Sequence, residues 1–192
     1  VIGFLRRALN TKKIGHGGTL DPDAAGVLPV FAGSATRLLE FAVEGSKEYI
    51  AEFTLGAQTA TGDDSGEVVK TLPVPAFSEA ELQAVLAKFV GKQLQLPPMY
   101  SAIKINGQKL YQLARQGVEV ERTPRQIEVY KLELLHYTAK SFTLRIACSK
   151  GTYIRVLGED MAAALGTCGT MSFLLRTQVG AFKIAEAYTL QE

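Results

Sequence analysis

Asp21 is the residue of this chain whose local sequence best suits a chemical role. It lies in the run Gly15-His-Gly-Gly-Thr-Leu-Asp-Pro22, whose glycines allow another backbone to approach closely. Pro22 fixes the chain after Asp21 and restricts Asp21 itself to extended conformations. A carboxylate held on such a turn can act as a nucleophile or a base. Taken alone, the pattern more often marks a simple turn, because Asp-Pro is a common turn signal.

Other residues of suitable chemistry lie at motif-like positions. His16 fits a general base, a nucleic-acid contact or a histidine whose ring is satisfied by the turn backbone, and its position alone favours the last. Tyr49 stands near the start of a predicted strand. Tyr153 and Arg155 follow another in Lys150-Gly-Thr-Tyr-Ile-Arg155. An aromatic ring can stack on a base and a guanidinium can pair with a carboxylate. Taken singly, a core tyrosine and a surface arginine are the more frequent roles.

The sequence carries no pattern that calls for a cofactor. It contains no phosphate-binding glycine loop, dinucleotide fingerprint, serine-nucleophile elbow or zinc-hydrolase motif. The two cysteines, Cys148 and Cys168, do not form ligand-like spacings with His16 or His136, so we expect no metal site. Two cysteines in 192 residues provide no disulfide framework and suit a reducing cytoplasm. We therefore expect cofactor-free chemistry.

The charge is unevenly distributed although the net charge is only +2. Residues 1–20 carry four basic side chains and no acidic ones. Residues 37–81 carry nine acids against three bases, and residues 92–131 carry seven bases against three acids. Two basic segments of this kind could meet a phosphate backbone. Ordinary solvated surface explains them as well, and on charge alone it is the preferred explanation.

The periodicity of apolar residues predicts the elements that must position these side chains. Alternation predicts strands over 48–55, 126–137, 141–149 and 171–182. Helical spacing predicts helices within 1–10, 34–45, 78–89, 110–115 and 156–165, with Ser34 as a cap and a capping box at Ser78 and Glu81. The mixture indicates an α+β fold with a mixed, mostly antiparallel sheet and flanking helices. No apolar stretch is long enough for a membrane span, and the length suits one domain.

Five segments, in order, resemble the motifs of the bacterial tRNA pseudouridine synthases of the TruB family. The match covers nearly the whole chain, so it outweighs the turn and core interpretations given above. The segments are Gly15–Pro22 with Ala25-Gly-Val-Leu-Pro29; Lys47-Glu-Tyr49 with Leu55-Gly and Thr59-Ala-Thr-Gly-Asp63; Pro98-Met-Tyr-Ser-Ala-Ile-Lys104 with Gly107-Gln-Lys-Leu-Tyr111 and Ala114-Arg-Gln-Gly117; Lys150-Gly-Thr-Tyr-Ile-Arg155; and Leu174-Leu-Arg-Thr177.

The resemblance implies a role for each matching residue. Asp21 matches the catalytic aspartate, Arg155 the arginine that pairs with it, and Tyr49 the tyrosine that stacks on the target base. Tyr153 and Leu174 match residues of the base pocket. His16 matches a histidine beside flipped-out nucleotides, and the segment 98–117 resembles one that lies close to bound RNA. Attack by the aspartate on C1′ of the ribose, attack on C6 of the base and removal of the 2′ proton all stay open.

The implied activity is the isomerisation of the uridine at position 55, in the tRNA T-loop, to pseudouridine. The implied partner is the T-arm of tRNA, with no membrane, no cofactor and no obligatory protein partner. We expect residues 1–192 to form the catalytic domain without the family's N-terminal strand and C-terminal RNA-binding domain. Three alternatives remain: an RNA-binding or tRNA-folding module on the same scaffold, a guide-RNA-dependent relative, and an unrelated small-molecule enzyme with a catalytic aspartate.

Overall fold

The computed structural model describes residues 1–42, 44–105 and 107–192. Within these residues the α-helices α1 to α5 are Ile2–Ala8, Leu39–Ala42, Glu79–Ala87, Leu110–Ala114 and Ile154–Ala164. The strands β1 to β7 are Ile14–His16, Ala25–Gly26, Val30–Ala32, Lys47–Leu55, Ala57–Thr59, Val68–Thr71 and Gly91–Gln95. The strands β8 to β13 are Lys104–Ile105, Gln108–Lys109, Arg125–Tyr137, Ser141–Cys148, Gly169–Val179 and Phe182–Lys183. Short 3₁₀ helices cover Gly33–Leu38 and Ile184–Glu186.

One seven-stranded sheet organises the described part of the chain. Its order is β13-β12-β4-β11-β10-β7, and β2 pairs with β12 beside this path. The pairings along the path are antiparallel, whereas β2 runs parallel to β12. The α+β class with a mixed, mostly antiparallel sheet is therefore confirmed. No helix in the described ranges is long and apolar enough to cross a bilayer.

The core lies on one face of the two central strands. Along β4 the side chains at 49, 51, 53 and 55 are buried, and along β11 those at 142, 144, 146 and 148 are buried. Phe53 and Phe142 meet across the pair with ring centroids 5.3 Å apart. Fully burying side chains of this size contributes about 1.5–3 kcal/mol each. The alternation in the sequence thus fixes the face that each strand turns to the core.

Helix α5 packs against this face because Gly158 carries no side chain. A Cβ placed on Gly158 would overlap the ring of Phe53. Leu157 and Met161, both fully buried, flank the contact on the same helix. The close approach brings the first turn of α5, with Ile154 and Arg155, over the sheet beside β4 and β12. Helix α5 therefore positions a site residue as well as covering the core.

Most predicted elements are present, and the capping box of α3 is confirmed. The Glu81 amide donates to the Ser78 hydroxyl oxygen at 3.3 Å, and the Ser78 amide donates to the Glu81 carboxylate at 2.7 Å. The prediction that Ser34 caps an α-helix was wrong. Ser34 lies inside the 3₁₀ helix and makes no capping hydrogen bond, so α2 is only a four-residue continuation.

Two strand predictions needed correction. The strand predicted over 171–182 is interrupted by a turn at 180–181, where the chain folds back into β13. No strand was predicted at residues 68–71. These residues form β6, which pairs with β5 in a hairpin, is exposed along its length and shows no alternation in the sequence. Exposed edge strands lack the one-sided burial that produces a readable pattern.

Candidate active site

The loop that carries Asp21 is held at both ends by backbone hydrogen bonds. At its start, the Gly17 amide donates to the Pro29 carbonyl at 2.8 Å, next to the pairing of His16 with Val30. At the turn itself, the Ala24 amide donates to the Asp21 carbonyl at 3.0 Å. The turn signal in the sequence was therefore real, and the turn also presents the carboxylate.

Strand β2 anchors the far side of the loop to the sheet. The Val27 amide donates to the Arg176 carbonyl at 2.8 Å. Gly26 lies opposite Arg176 with φ of +109°, and a Cβ at this position would overlap the Arg176 carbonyl oxygen. Only glycine combines this φ with so close a backbone approach.

The Arg176 side chain forms hydrogen bonds with both sides of the Asp21 loop. Its guanidinium is buried and donates to three carbonyl oxygens: Nε to Val27 at 2.8 Å, Nη2 to Gly18 at 3.0 Å and Nη1 to Thr19 at 3.5 Å. Among the described residues no carboxylate lies within ion-pair distance of this side chain. Three of its five N–H donors thus bind backbone carbonyls of the loop, which stabilises the loop and places a positive charge next to it.

Asp21 and Arg155 form a two-point ion pair. Arg155 Nε donates to Asp21 Oδ2 at 2.9 Å, and Nη2 donates to Oδ1 at 3.2 Å. The Arg155 side chain is 6% exposed, whereas that of Asp21 is 33% exposed. A fork-to-fork pair fixes the plane and direction of the carboxylate. The carboxylate is therefore oriented from the protein side and open from the solvent side.

Arg155 also donates two hydrogen bonds to backbone carbonyl oxygens. Nη1 donates to the Thr61 carbonyl at 2.6 Å, and Nη2 to the Tyr100 carbonyl at 2.9 Å. A second carboxylate, that of Asp63, lies 3.8 Å from Nε. Asp63 is held in turn by the hydroxyl of Thr61, which donates to Oδ1 at 2.6 Å. The guanidinium thus joins three separate segments of the chain at one point.

A cleft of about 250 Å³ opens beside the Asp21 carboxylate. Its lining includes Tyr153 and Leu174, predicted as base-pocket residues, Tyr49, predicted to stack on the base, and Arg155, predicted to pair with the aspartate. Lys47 and Arg176 also line it. Tyr49 and Leu174 are each 7% exposed. Burial raises the pKa of the Tyr49 phenol to about 12, with the nearby Arg176 charge acting in the opposite direction. Tyr49 therefore presents a neutral aromatic surface at physiological pH.

Gln95 fixes the backbone of Tyr153 at the edge of this cleft. The Tyr153 amide donates to Gln95 Oε1 at 2.8 Å, and Gln95 Nε2 donates to the Tyr153 carbonyl at 3.1 Å. Gln95 is 4% exposed at the end of the sheet-edge strand β7. It stabilises the extended residue from which α5 begins.

His16 is the one predicted site residue outside the clefts around Asp21. It is half-buried in β1, and its Nδ1 atom is buried without a hydrogen-bond partner in the described part of the chain. None of the three clefts that border Asp21 is lined by His16. The structure thus brings Asp21, Tyr49, Tyr153, Arg155 and Leu174 together and leaves His16 to one side.

A larger groove of about 930 Å³ runs from Asp21 to the basic segment 98–117. Tyr111 lies in this groove between two cations, with Lys109 Nζ at 5.6 Å and Arg115 Cζ at 5.5 Å from its ring centroid. Such contacts hold charged side chains against an aromatic surface. Asn106, in the middle of the segment, lies outside the described residues. Of the cations in this segment, Lys109 and Arg115 line the groove, whose lining also includes the acidic residues Asp21, Asp23, Asp63 and Glu67.

Reasoning from the sequence did not assign three of the residues that build this site. Asp63, Arg176 and Gln95 were left without a role. Asp63 and Arg176 lie inside two of the family-like segments, and this position was the feature of the sequence that could have indicated a role for them. Gln95 carried no such signal because its partner is 58 residues away.

The chain is similar in sequence to a described protein family and to several named proteins. The family model described as "TruB family pseudouridylate synthase (N terminal domain)" matches residues 6–154. The tRNA pseudouridine synthase B of Alkaliphilus oremlandii is 48% identical over 192 residues, and that of Caldanaerobacter subterraneus subsp. tengcongensis is 50% identical over 193. The alignments cover 100% of this chain and 64% and 68% of those relatives, respectively. The chain therefore spans about two thirds of the length of these relatives.

Solved structures share the fold. The chain superimposes on one in a Cbf5-Nop10-Gar1 complex with a TM-score of 0.72 and 32% identity, over 95% of this chain and 45% of that one. It superimposes on a chain of an H/ACA RNP bound to a substrate RNA containing 2′-deoxyuridine with a TM-score of 0.67 and 28% identity. That second alignment covers 95% of this chain and 43% of the other.

Proposed function

Because this chain belongs to the TruB family of pseudouridylate synthases, we propose that it isomerises a uridine in the T-loop of tRNA, at position 55, to pseudouridine. The observation that carries the proposal is the two-point ion pair between Asp21 and Arg155 at the mouth of a base-sized cleft. A carboxylate that is oriented from behind and open in front can act on a nucleoside placed in that cleft.

The reaction is an isomerisation, so its atoms balance within the substrate. The bond from C1′ of the ribose to N1 of uracil breaks, the base turns, and a bond from C1′ to C5 forms. The proton lost from C5 is matched by the proton that N1 gains. No oxidant, reductant or group donor is consumed, so the side chains that the cleft requires are ones that hold the nucleoside and act on it, such as Asp21, Arg155 and Tyr49.

The target base has to leave its stack to reach Asp21. Unstacking a looped nucleotide costs a few kcal/mol. The ring of Tyr49 and the side chain of Leu174 form the apolar wall beside Asp21. Stacking on such a ring recovers about 1–3 kcal/mol per base. Tyr49 therefore contributes to holding the flipped base, and its phenol, whose pKa burial raises to about 12, stays neutral at physiological pH.

The groove toward residues 98–117 suits the RNA around the target. It carries Lys109, Arg115 and the ring of Tyr111, and it leads directly to the carboxylate of Asp21. Recognition of folded RNA depends on shape, on phosphate contacts and on stacking of splayed bases. We take the T-arm stem-loop of tRNA as the substrate, His16 as a contact to neighbouring nucleotides, and the cytoplasm as the place of action.

We propose that residues 1–192 act as a single catalytic domain without a protein partner. A single cluster of buried residues extends from β4 and β11 to α3 and α5, and the site lies directly beside it. The identity of 50% to the tRNA pseudouridine synthase B of Caldanaerobacter subterraneus subsp. tengcongensis exceeds the 32% to the chain of the Cbf5-Nop10-Gar1 complex, which favours the stand-alone enzyme. A binding-only module is disfavoured because the ion pair and its cleft are intact.

A product assay on an unmodified T-arm stem-loop tests the proposal. The chain alone is expected to convert uridine to pseudouridine, and Asp21→Asn is expected to bind the RNA without forming product. Glu133→Gln serves as the matched control because it removes one carboxylate from β10, two strands away from β4 in the sheet. Product from Asp21→Asn at the rate of the unaltered chain would refute the assignment of Asp21. Binding without product by the unaltered chain would support the binding module.

A further inference from the structure

Lys47 places an ammonium group in the base cleft next to the Asp21 loop. It is the first residue of β4 and lines the cleft of about 250 Å³ together with Asp21 and Tyr49. A Cβ built on Gly18 would lie 3.4 Å from Lys47 Nζ, so the amine lies against the backbone that leads to Asp21. Lys47 is half-buried, whereas most lysines are solvated.

The Lys47 ammonium has no partner among the residues that the structure describes. No carboxylate oxygen lies within 4.0 Å of it, and it donates no hydrogen bond. The nearby acids are engaged elsewhere. Glu44 pairs with Lys150 at 3.3 Å, and Glu48 pairs with Arg145 at 3.3 Å. Burial, together with the positive charge of Arg176, lowers the pKa of Lys47. The Asp21 carboxylate lines the same cleft but is paired with Arg155, so a half-buried ammonium close to Arg176 is stabilised when a further anion joins it.

The spacing along β4 shows where that anion would lie. Residues two apart on a strand share a face and are about 6.6 Å apart. Lys47 and Tyr49 are such a pair, and both face the cleft. With the flipped base on Tyr49 and its ribose at Asp21, a phosphate one sugar away from the base reaches the position of Lys47. The compact ammonium is suited to phosphate as a point charge.

We infer that Lys47 binds a backbone phosphate flanking the flipped uridine and so anchors the nucleotide while its base turns at Asp21. The inference rests on the proposed function, since it assumes a nucleotide in this cleft. Lys47 is thus a substrate-binding residue. Its contact is made equally in the ground state and the transition state, because the phosphate takes no part in the bonds that break and form. Its loss then affects KM and leaves kcat nearly unchanged.

The first test compares Lys47→Gln with Lys47→Arg and with Lys131→Gln. Lys131 is the matched control because it carries the same charge on β10, exposed and paired with Glu133 at 3.0 Å. Lys47→Gln is expected to raise KM about tenfold and to lower the slope of log K against log salt by about 0.7–1. Lys47→Arg should recover most of the affinity, and Lys131→Gln should change neither quantity. A fall in kcat at constant KM would overturn the inference.

The second test removes the charge from the RNA. Stem-loops with a neutral methylphosphonate linkage on the 5′ side or the 3′ side of the target uridine are compared in the unaltered chain and in Lys47→Gln. One of these linkages is expected to weaken binding by the unaltered chain and to have no further effect in Lys47→Gln. Full additivity at both linkages would overturn the inference. Binding remains measurable if no product forms, so failure of the proposed function and failure of this contact are told apart. Urea unfolding of Lys47→Gln checks that the fold is intact.

Discussion

The carboxylate of Asp21 and the guanidinium of Arg155, 134 residues apart in the chain, meet through two hydrogen bonds of 2.9 and 3.2 Å. Arg155 stands on the first turn of α5, whereas Asp21 stands on a loop pinned to β12. The same guanidinium also binds the carbonyls of Thr61 and Tyr100. The pair therefore depends on the correct packing of α5, the Asp21 loop and the two segments that provide these carbonyls.

Arg155→Lys is expected to lower the rate of pseudouridine formation by about 100-fold or more, because an ammonium cannot match the planar fork. The lost bonds to Thr61 and Tyr100 should also reduce the free energy of unfolding by about 1–3 kcal/mol. Single-turnover rates and urea unfolding measure the two effects. Arg145→Lys is the control, since Arg145 forms partly exposed ion pairs worth about 1 kcal/mol or less. Equal behaviour of the two variants would contradict the role given to Arg155.

Gly26→Ala is expected to displace the Asp21 loop from the sheet. The new Cβ would combine a φ of +109° with overlap on the Arg176 carbonyl. Activity should fall steeply, and the free energy of unfolding should fall by more than the roughly 1–2 kcal/mol of conformational strain alone. Gly33→Ala supplies that reference value, since Gly33 has φ of +61° and open space at its Cβ position. Urea midpoints of both variants give the comparison. Equal losses would show that the contact with β12 is unimportant.

Stability at alkaline pH should depend on Tyr49. Its folded-state pKa is about 12 against 10.0 for the free phenol, so the folded state holds the proton more tightly. The stabilisation is complete below pH 10 and is lost as the pH rises toward 12, on the order of 2 kcal/mol in total. Cys148, whose pKa is raised by burial to about 11, adds a loss of the same sign from pH 9 upward. Lys47, whose pKa is lowered, acts in the opposite sense.

Tyr49→Phe removes the tyrosine part of this dependence. The free energy of unfolding of Tyr49→Phe should therefore decline less between pH 10 and pH 11 than that of the unaltered chain. Urea unfolding at pH 8, 10 and 11 provides the measurement. Parallel declines in the two proteins would show that the phenol is not the group responsible.

Ser78→Ala should affect stability and leave activity unchanged. The hydroxyl of Ser78 accepts from the Glu81 amide and completes the capping box of α3. Its removal is expected to cost about 1 kcal/mol, visible as a lower urea midpoint at constant slope. Ser78 lines none of the three clefts at Asp21, so kcat and KM should stay as they are. A change in KM would mean that α3 is coupled to the site.

Features that depend on neighbours along the chain were readable from the sequence. The alternation of β4 and β11, the capping box at Ser78 and the turn at Asp21 all follow from local rules, and the structure contains each of them. The motif resemblance assigned substrate-binding roles to Tyr49, Tyr153, Arg155 and Leu174, and the structure brings these four residues to one cleft. Whether these residues act on RNA is the question that the product assay addresses.

Tertiary structure decided the features that join distant segments. Three such contacts join residues far apart in the sequence. Arg176 donates to carbonyls of the Asp21 loop, Asp63 lies beside Arg155, and Gln95 hydrogen-bonds to the backbone of Tyr153. The tertiary structure also shows that Glu44 and Glu48 pair with Lys150 and Arg145, and that Lys47 has no ion-pair partner among the described residues. The local sequence determines the backbone conformation that each segment prefers and the face of each strand or helix that is apolar. The partners of a buried polar group are set by the packing of the sheet and α5, because any of several carbonyls could satisfy the same donor until the fold selects one.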